Sequence, residues 1–243
     1  MKIWNGRSLV ENNENGKDAP ELLNLSEAVE FAENPEPRCP CILLLDTSGS
    51  MQGEAINALN EGLLIFGQEL NHDNLASKRV EVAIVTFNTQ VEVVQDFITA
   101  DEFEPPTLLA EGLTQMGGAI LQGLDMLEIR KAMYRANGIA YYRPWIFLIT
   151  DGEPQGEPDS VVEQAMQRIK DDETNKRVAF FAVGVEEANM TRLSQIVVRQ
   201  PLKLKGLNFQ ELFIWLSASM QQVSQSSQLE EQMPLPPATW SVE

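Results

Sequence analysis

Two short apolar runs that each end on a carboxylate constrain this chain more than any other feature. Cys41-Ile-Leu-Leu-Leu45 runs into Asp46, and Trp145-Ile-Phe-Leu-Ile-Thr150 runs into Asp151. A half-exposed strand alternates apolar and polar residues, whereas an unbroken run of this length reads as a strand buried on both faces. A third run of the same kind spans residues 177–185. Strands buried on both faces need helices above and below them, and the segments between the runs supply the pattern. Residues 54–70 put Ile56, Leu59, Leu63, Phe66 and Leu70 on one helical stripe. Helices are also expected over 116–137, closed by Gly138 as a C-cap, over 160–171, over 190–196 and over 209–223.

The β-branched segments 80–87 and 91–98 are further strands. Only Asn88-Thr89-Gln90 joins them, a connection too short for a parallel crossover, so they form an antiparallel hairpin at a sheet edge. Residues 202–207 are a candidate edge strand on the other side. The expected fold is a single doubly wound α/β domain, with a central, mostly parallel six-stranded sheet, one antiparallel edge strand and helices on both faces. No internal repeat is visible.

Apolar patterning continues without a long break through residues 39–223, which marks one domain with a segment on either side. Residues 1–38 form an acidic N-terminal extension with eight acids against four bases. A short amphipathic helix over 20–31 is expected within it, the rest being mobile. Residues 224–243 are Gln- and Ser-rich, then Pro-rich. Pro234, Pro236 and Pro237 favour an extended polyproline segment, and Trp240 is expected to dock back onto the domain.

Charge and composition exclude several functions. With 18 basic and 36 acidic residues the net charge is −18, a surface that repels nucleic-acid backbones and favours cations and basic partners. No apolar run is long enough to span a bilayer, and the first residues lack the pattern of a secretion signal. The two cysteines, Cys39 and Cys41, flank Pro40 too closely for an unstrained disulfide. Cytoplasmic residence is the expectation.

In open α/β sheets ligands bind beyond the carboxyl ends of the strands, which directs attention to Asp46-Thr-Ser48-Gly-Ser50 and Thr150-Asp151-Gly152. A third polar stretch, Gly112-Leu-Thr114-Gln, precedes the long central helix. The spacing of Asp46, Ser48 and Ser50 suits a turn that folds both hydroxyls toward the carboxylate. Oxygen-only donors suit a hard cation, Mg²⁺ first and Mn²⁺ or Ca²⁺ as alternatives, and do not suit zinc or copper. Ser50 as a cap of the following helix and Thr114 as a plain helix N-cap are the structural alternatives. Glu153-Pro-Gln-Gly-Glu157 reads as a solvated loop and His72 as a surface residue.

Asp46-x-Ser48-x-Ser50 on a buried strand resembles the metal-ion-dependent adhesion site (MIDAS) of von Willebrand factor A (vWA) domains. Thr114 and Asp151 fall where that family's second and third loops supply a threonine and an aspartate. The resemblance covers roughly residues 40–223. Within the family the chain is similar to the bacterial tellurium-resistance, TerY-like type. Leu-Leu-Asp-Thr-Ser-Gly-Ser-Met-Gln-Gly-Glu, Phe-Glu-Pro-Pro, Leu-Ile-Thr-Asp-Gly-Glu-Pro and the Pro-rich end before Trp240 carry that likeness. It departs in its acidic extension and in Leu113, where a glycine often precedes the threonine.

The resemblance implies that Ser48 and Ser50 coordinate metal directly. Asp46 and Asp151 act directly or through water, Thr114 joins when a ligand binds, and an Asp or Glu of a partner protein completes the shell. It implies a metal-dependent protein-interaction module, an adaptor or subunit in a bacterial stress-response or tellurium-resistance-like system, and no enzyme. The alternative is a metal-dependent phosphohydrolase with Asp151 as base. A serine triad is disfavoured because the sole histidine, His72, has no elbow motif to serve.

Overall fold

The computed structural model describes residues 30–227 and 236–242. The helix expected over 20–31 lies outside the described residues except for its end, a helical turn at residues 30–33. The chain then runs β1 (Cys39–Asp46), a 3₁₀ turn (Gly49–Met51), α1 (Glu54–His72), the single turn α2 (Ala76–Arg79), β2 (Val80–Phe87) and β3 (Val91–Thr99). It continues through α3 (Met116–Ala136), β4 (Trp145–Thr150), α4 (Asp159–Thr174), β5 (Ala179–Gly184), α5 (Met190–Ile196), β6 (Leu202–Leu204), α6 (Phe209–Ser224) and β7 (Ser241–Val242).

The strands form one sheet in the order β3-β2-β1-β4-β5-β6-β7. The pairs β2–β1, β1–β4, β4–β5 and β5–β6 are parallel, and β3 is the antiparallel edge that the short 88–90 connection requires. Along β1 the side chains alternate between two cores. Cys39, Cys41, Leu43 and Leu45 face a layer that includes Leu59, Leu63 and Phe66 of α1 and Phe213 and Leu216 of α6. Ile42 and Leu44 face the opposite layer, which includes Ile120 and Leu124 of α3 and Ile169 of α4. The two-residue period of a strand is thus divided between two helical layers, and this is why the run carries no polar position. On the first side α1 and α6 approach closely because Gly62 has no side chain; a Cβ there would lie 2.6 Å from the Phe213 ring.

The sheet has seven strands where the sequence pattern suggested six, and β6 is not its edge. Two residues of the tail, Ser241 and Val242, pair antiparallel with Leu204 and Lys203 and cover β6. A two-residue strand has no periodicity to detect; Trp240 makes it, fully buried and packed edge-on against Trp215 at 5.4 Å between centroids. The Trp215 indole donates to the Pro236 carbonyl at 2.9 Å.

Residues 30–38, grouped by composition with the acidic extension, pack onto the domain through a buried charge cluster. Glu81, fully buried in β2, accepts from Arg38 Nε at 2.8 Å, from Arg130 Nε and Nη2 at 2.9 Å each, and from the Tyr134 hydroxyl. Arg130 also pairs with Glu30 at 2.8 Å, and the Phe31 ring lies under both guanidinium groups. Removing one partner of a buried ion pair leaves an uncompensated charge, which costs about 3–5 kcal/mol. Arg130→Ala should therefore lower the unfolding free energy by that amount in urea denaturation. A loss below about 1 kcal/mol would mean that Arg38 and Tyr134 satisfy Glu81 by themselves.

Candidate metal centre

All five residues singled out in the sequence meet at the carboxyl end of the sheet. The register pairs Leu45 of β1 with Ile149 of β4, so Asp46 and Thr150 end adjacent strands side by side on the same face. The Thr150 hydroxyl donates to Asp46 Oδ2, and the Ser48 N–H donates to Asp46 Oδ1 at 2.8 Å. The backbone then turns through Gly49–Met51, and Ser48 Oγ lies 3.0 Å from Ser50 Oγ. Ser50 Oγ donates to Asp151 Oδ1 at 2.8 Å. A chain of oxygen contacts thus links both serines and both aspartates across the ends of β1 and β4.

The third polar stretch arrives from the side. The Gly49 N–H donates to the Gly112 carbonyl at 3.0 Å and the Glu111 N–H to the Thr47 carbonyl at 2.8 Å, which fixes the 108–114 segment over the first loop. Gly112 has φ +78°, and a Cβ there would lie 2.2 Å from Thr89 Oγ1, so no other residue fits. Thr114 pairs through its backbone with Gln155, at 3.3 and 2.8 Å, and is buried. Its hydroxyl borders the same space: a Cβ on Gly152 would sit 3.6 Å from Thr114 Oγ1 and 3.9 Å from Asp46 Oδ2.

The helix-capping alternatives are not what these hydroxyls do. The helix after Ser50 has Gly53 at its N-cap, and no side chain caps it. The N-terminus of α3 is held by Glu157, whose carboxylate accepts from the Gly117 N–H at 2.7 Å and the Gly118 N–H at 2.9 Å. Glu157 therefore has a fixed structural task, unlike the solvated loop residue the sequence suggested. Its partners lie 40 positions away, which no local pattern reveals. Thr150 stands in the stretch the sequence points to but without a role there; its place opposite Asp46 follows once the two runs are paired in parallel. Leu113 turns toward the 156 loop, where a Cβ on Gly156 would come within 2.7 Å of Leu113 Cδ1.

The von Willebrand factor type A domain model matches residues 41–210, more than two thirds of the chain. The chain belongs to the von Willebrand factor type A family. Solved structures agree in fold. A von Willebrand factor type A protein from Catenulispora acidiphila matches with a TM-score of 0.58 and 18% identity, over 76% of this chain and 43% of that one. The PilB minor pilin of Streptococcus sanguinis matches with a TM-score of 0.55 and 14% identity, over 76% and 62%. The pilus adhesin SpaC of Lactobacillus rhamnosus GG, in its open conformation, matches with a TM-score of 0.59 and 14% identity, over 76% and 30%. The vWA chain thus spans less than two thirds of the length of each of these structures. No curated protein matches it. Domains of this family often act in protein–protein interaction through a divalent metal ion.

The donor set of this vWA domain suits a hard cation: two carboxylates, three hydroxyls and no nitrogen or sulfur. Among the described residues no three His, Cys, Asp or Glu side chains gather as a metal-holding group, so any cation here depends on the hydroxyls. Nor does a Lys or Arg pair with Asp46 or Asp151 among the described residues. Burial pushes the Asp46 carboxyl up to about 6; hydrogen bonds from Ser48 and Thr150 oppose the rise, and the Asp151 charge adds to it. Burial raises Asp151 as well, against the hydrogen bond from Ser50.

These shifts make the metal-free site a source of instability at neutral pH. A carboxyl raised by folding contributes stability below its unfolded range, near pH 4, and that stability is lost as pH rises through about 6. In EDTA, Asp46→Asn should therefore exceed the wild type in stability at pH 7–8, by up to about 3 kcal/mol. The difference should vanish near pH 4 in paired urea titrations. Equal stability at both pH values would show that Asp46 carries no electrostatic cost.

Proposed function

We propose that this vWA chain is a Mg²⁺-dependent protein-binding module and not an enzyme. Asp46, Ser48, Ser50, Thr114 and Asp151 hold the cation, with Mn²⁺ or Ca²⁺ as possible substitutes, and an Asp or Glu of a partner protein completes the coordination. The observation that carries this reading is the contact chain Ser48–Ser50–Asp151 beside a fully buried Asp46 that has no cationic side chain to balance it. Ser48 and Ser50 would coordinate directly, Asp46 and Asp151 directly or through water, and Thr114 on ligand binding. A bound divalent cation supplies local positive charge where the −18 chain otherwise repels an acidic partner.

Two placements leave the phosphohydrolase alternative resting on Asp151 as its base, whose Oδ1 already accepts from the Ser50 hydroxyl. Glu157, a further carboxylate near the site, is committed to the α3 N-terminus. His72 closes α1 at the end remote from the loops, some 27 Å along a 19-residue helix. Neither is available as a base. The stretches that resemble the TerY-like type support an adaptor or subunit role in a bacterial stress-response, tellurium-resistance-like system. A cytoplasmic setting agrees with Cys39 and Cys41, which are free and buried, with burial pushing the Cys39 thiol up to about 12. No helix among the described residues is long and apolar enough to cross a membrane.

Linkage gives the first test. Mg²⁺ at 100 times its dissociation constant should stabilise the wild type by about 2.7 kcal/mol, and the rise in melting temperature should disappear in Asp46→Ala and Ser48→Ala. The second test is partner capture from native lysate by tagged protein in Mg²⁺, in EDTA, and with Asp46→Ala. Retention by the wild type in Mg²⁺ alone is expected. Identical retention in all three would remove the metal from the interaction and overturn the reading. Turnover of phosphorylated substrates that is lost in Asp46→Ala would replace it with phosphohydrolysis.

A further inference from the structure

A second concavity, of about 760 Å³, lies at the opposite pole of the sheet, where β4 begins. The six residues of β4 separate it from Asp151 by roughly 20 Å. Lys131 and Arg135 enter it from α3, Arg143 from the connection into β4, and Lys176 and Arg177 from the turn after α4. These are five of the chain's 18 basic residues, and the one acidic side chain lining the cleft is Glu128. In a molecule of net charge −18, this is a local inversion of sign.

Basic residues at helix ends have an ordinary explanation, because α3 and α4 both finish here and each helix C-terminus carries about half a negative charge. That explanation accounts for part of the cluster. Glu128 takes Lys131, Asp172 takes Arg177 at 3.4 Å, and Glu173 takes Arg143 at 3.0 Å. Arg135 and Lys176 exceed these pairings. Arg135 Nη1 donates to the Tyr141 hydroxyl at 3.2 Å, and neither Arg135 nor Lys176 pairs with a carboxylate among the described residues. Lys176 also stands at φ +56°, in the left-handed region, so the turn fixes where its side chain leaves the backbone. Lys131 and Arg143 have side chains only 6% and 9% exposed; with Lys131 on Glu128 and Arg143 on Glu173 and the Val178 carbonyl, they form the wall between the two surplus cations.

We propose that this cleft binds a small molecule carrying two or more phosphate charges, a pyrophosphate ester or an equivalent oligoanion. The two surplus cations stand on separate elements, Arg135 on α3 and Lys176 in the turn after α4, and both line the cleft, so a ligand with two or more anionic groups can engage both at once where a single carboxylate cannot. The volume lies within the usual range for small-molecule sites, about 300–1,000 Å³, and leaves room for an organic portion. The chain's net charge opposes anion binding at most other places on its surface, so saturable binding reports on this cluster.

The test is calorimetric titration of the full chain with inorganic pyrophosphate in EDTA at fixed ionic strength, with sulfate for comparison. EDTA keeps cations out of the Asp46 site, so the outcome stands apart from the proposed metal function. The expected result is one saturable site, tighter for pyrophosphate than for sulfate. Arg135→Glu and Lys176→Glu should each weaken it at least about tenfold, the loss of a charge-assisted hydrogen bond. Both side chains are exposed, and melting curves will verify that the variants fold. Lys205→Glu makes the same charge change at the carboxyl end of β6 and should leave binding unchanged. Absence of saturable binding overturns the proposal, as does an equal loss in Lys205→Glu or undiminished binding in Arg135→Glu.

Discussion

The parallel pairing of β1 with β4 is the constraint on which the rest of the structure depends. Both strands are buried on both faces, so their registers are fixed by two helical layers at once, and a one-residue slip would turn core side chains to the wrong layer. Because Leu45 pairs with Ile149, the first polar residues after each run, Asp46 and Thr150–Asp151, emerge at one level. The loops that follow have no freedom to separate them. Ser50 reaches Asp151 across 101 positions of sequence because two hydrophobic strands end together.

The same sheet holds two buried carboxylates and treats them differently. Glu81 lies toward the amino-terminal end of β2, where two arginines pair with it and a tyrosine hydroxyl donates to it, so its charge is satisfied within the protein. Asp46 ends β1 and receives only hydroxyl and N–H donors. Its raised pKa is the consequence: hydrogen bonds offset part of the desolvation and no cationic side chain offsets the remainder. A group left in this state attracts positive charge from outside. The asymmetry between the two poles separates a carboxylate that holds the fold together from one that is available for binding.

Much of this was legible in the sequence. The unbroken runs at 41–45, 145–150 and 177–185 appear as β1, β4 and β5, and the short 88–90 connection appears as the antiparallel edge. Gly138 follows α3 with φ +67°, as a C-cap requires. Asp46, Ser48, Ser50, Thr114 and Asp151 were named from motif spacing, and the fold gathers them at one end of the sheet. The features missed share a physical character, since each joins residues distant in sequence through one or two contacts. Glu157 caps a helix through Gly117, 40 residues earlier, Arg38 and Arg130 meet on Glu81, and the expected docking of Trp240 brings with it an unexpected two-residue strand beside β6. None leaves a period or a local motif.

The sequence by itself determined the class of fold and the chemistry of the donors. Hydrophobic period and the residue types at strand ends are local properties, and burial on two faces admits few architectures. Tertiary structure alone decided which of those donors are buried, which are already engaged and which remain open. It released Ser50 and Thr114 from capping by placing Gly53 and Glu157 at those helix starts, and it set Asp46 where no Lys or Arg side chain among the described residues pairs with it. The physical reason is that desolvation, charge pairing and hydrogen-bond competition depend on distances between segments, and those distances exist only once the sheet has closed.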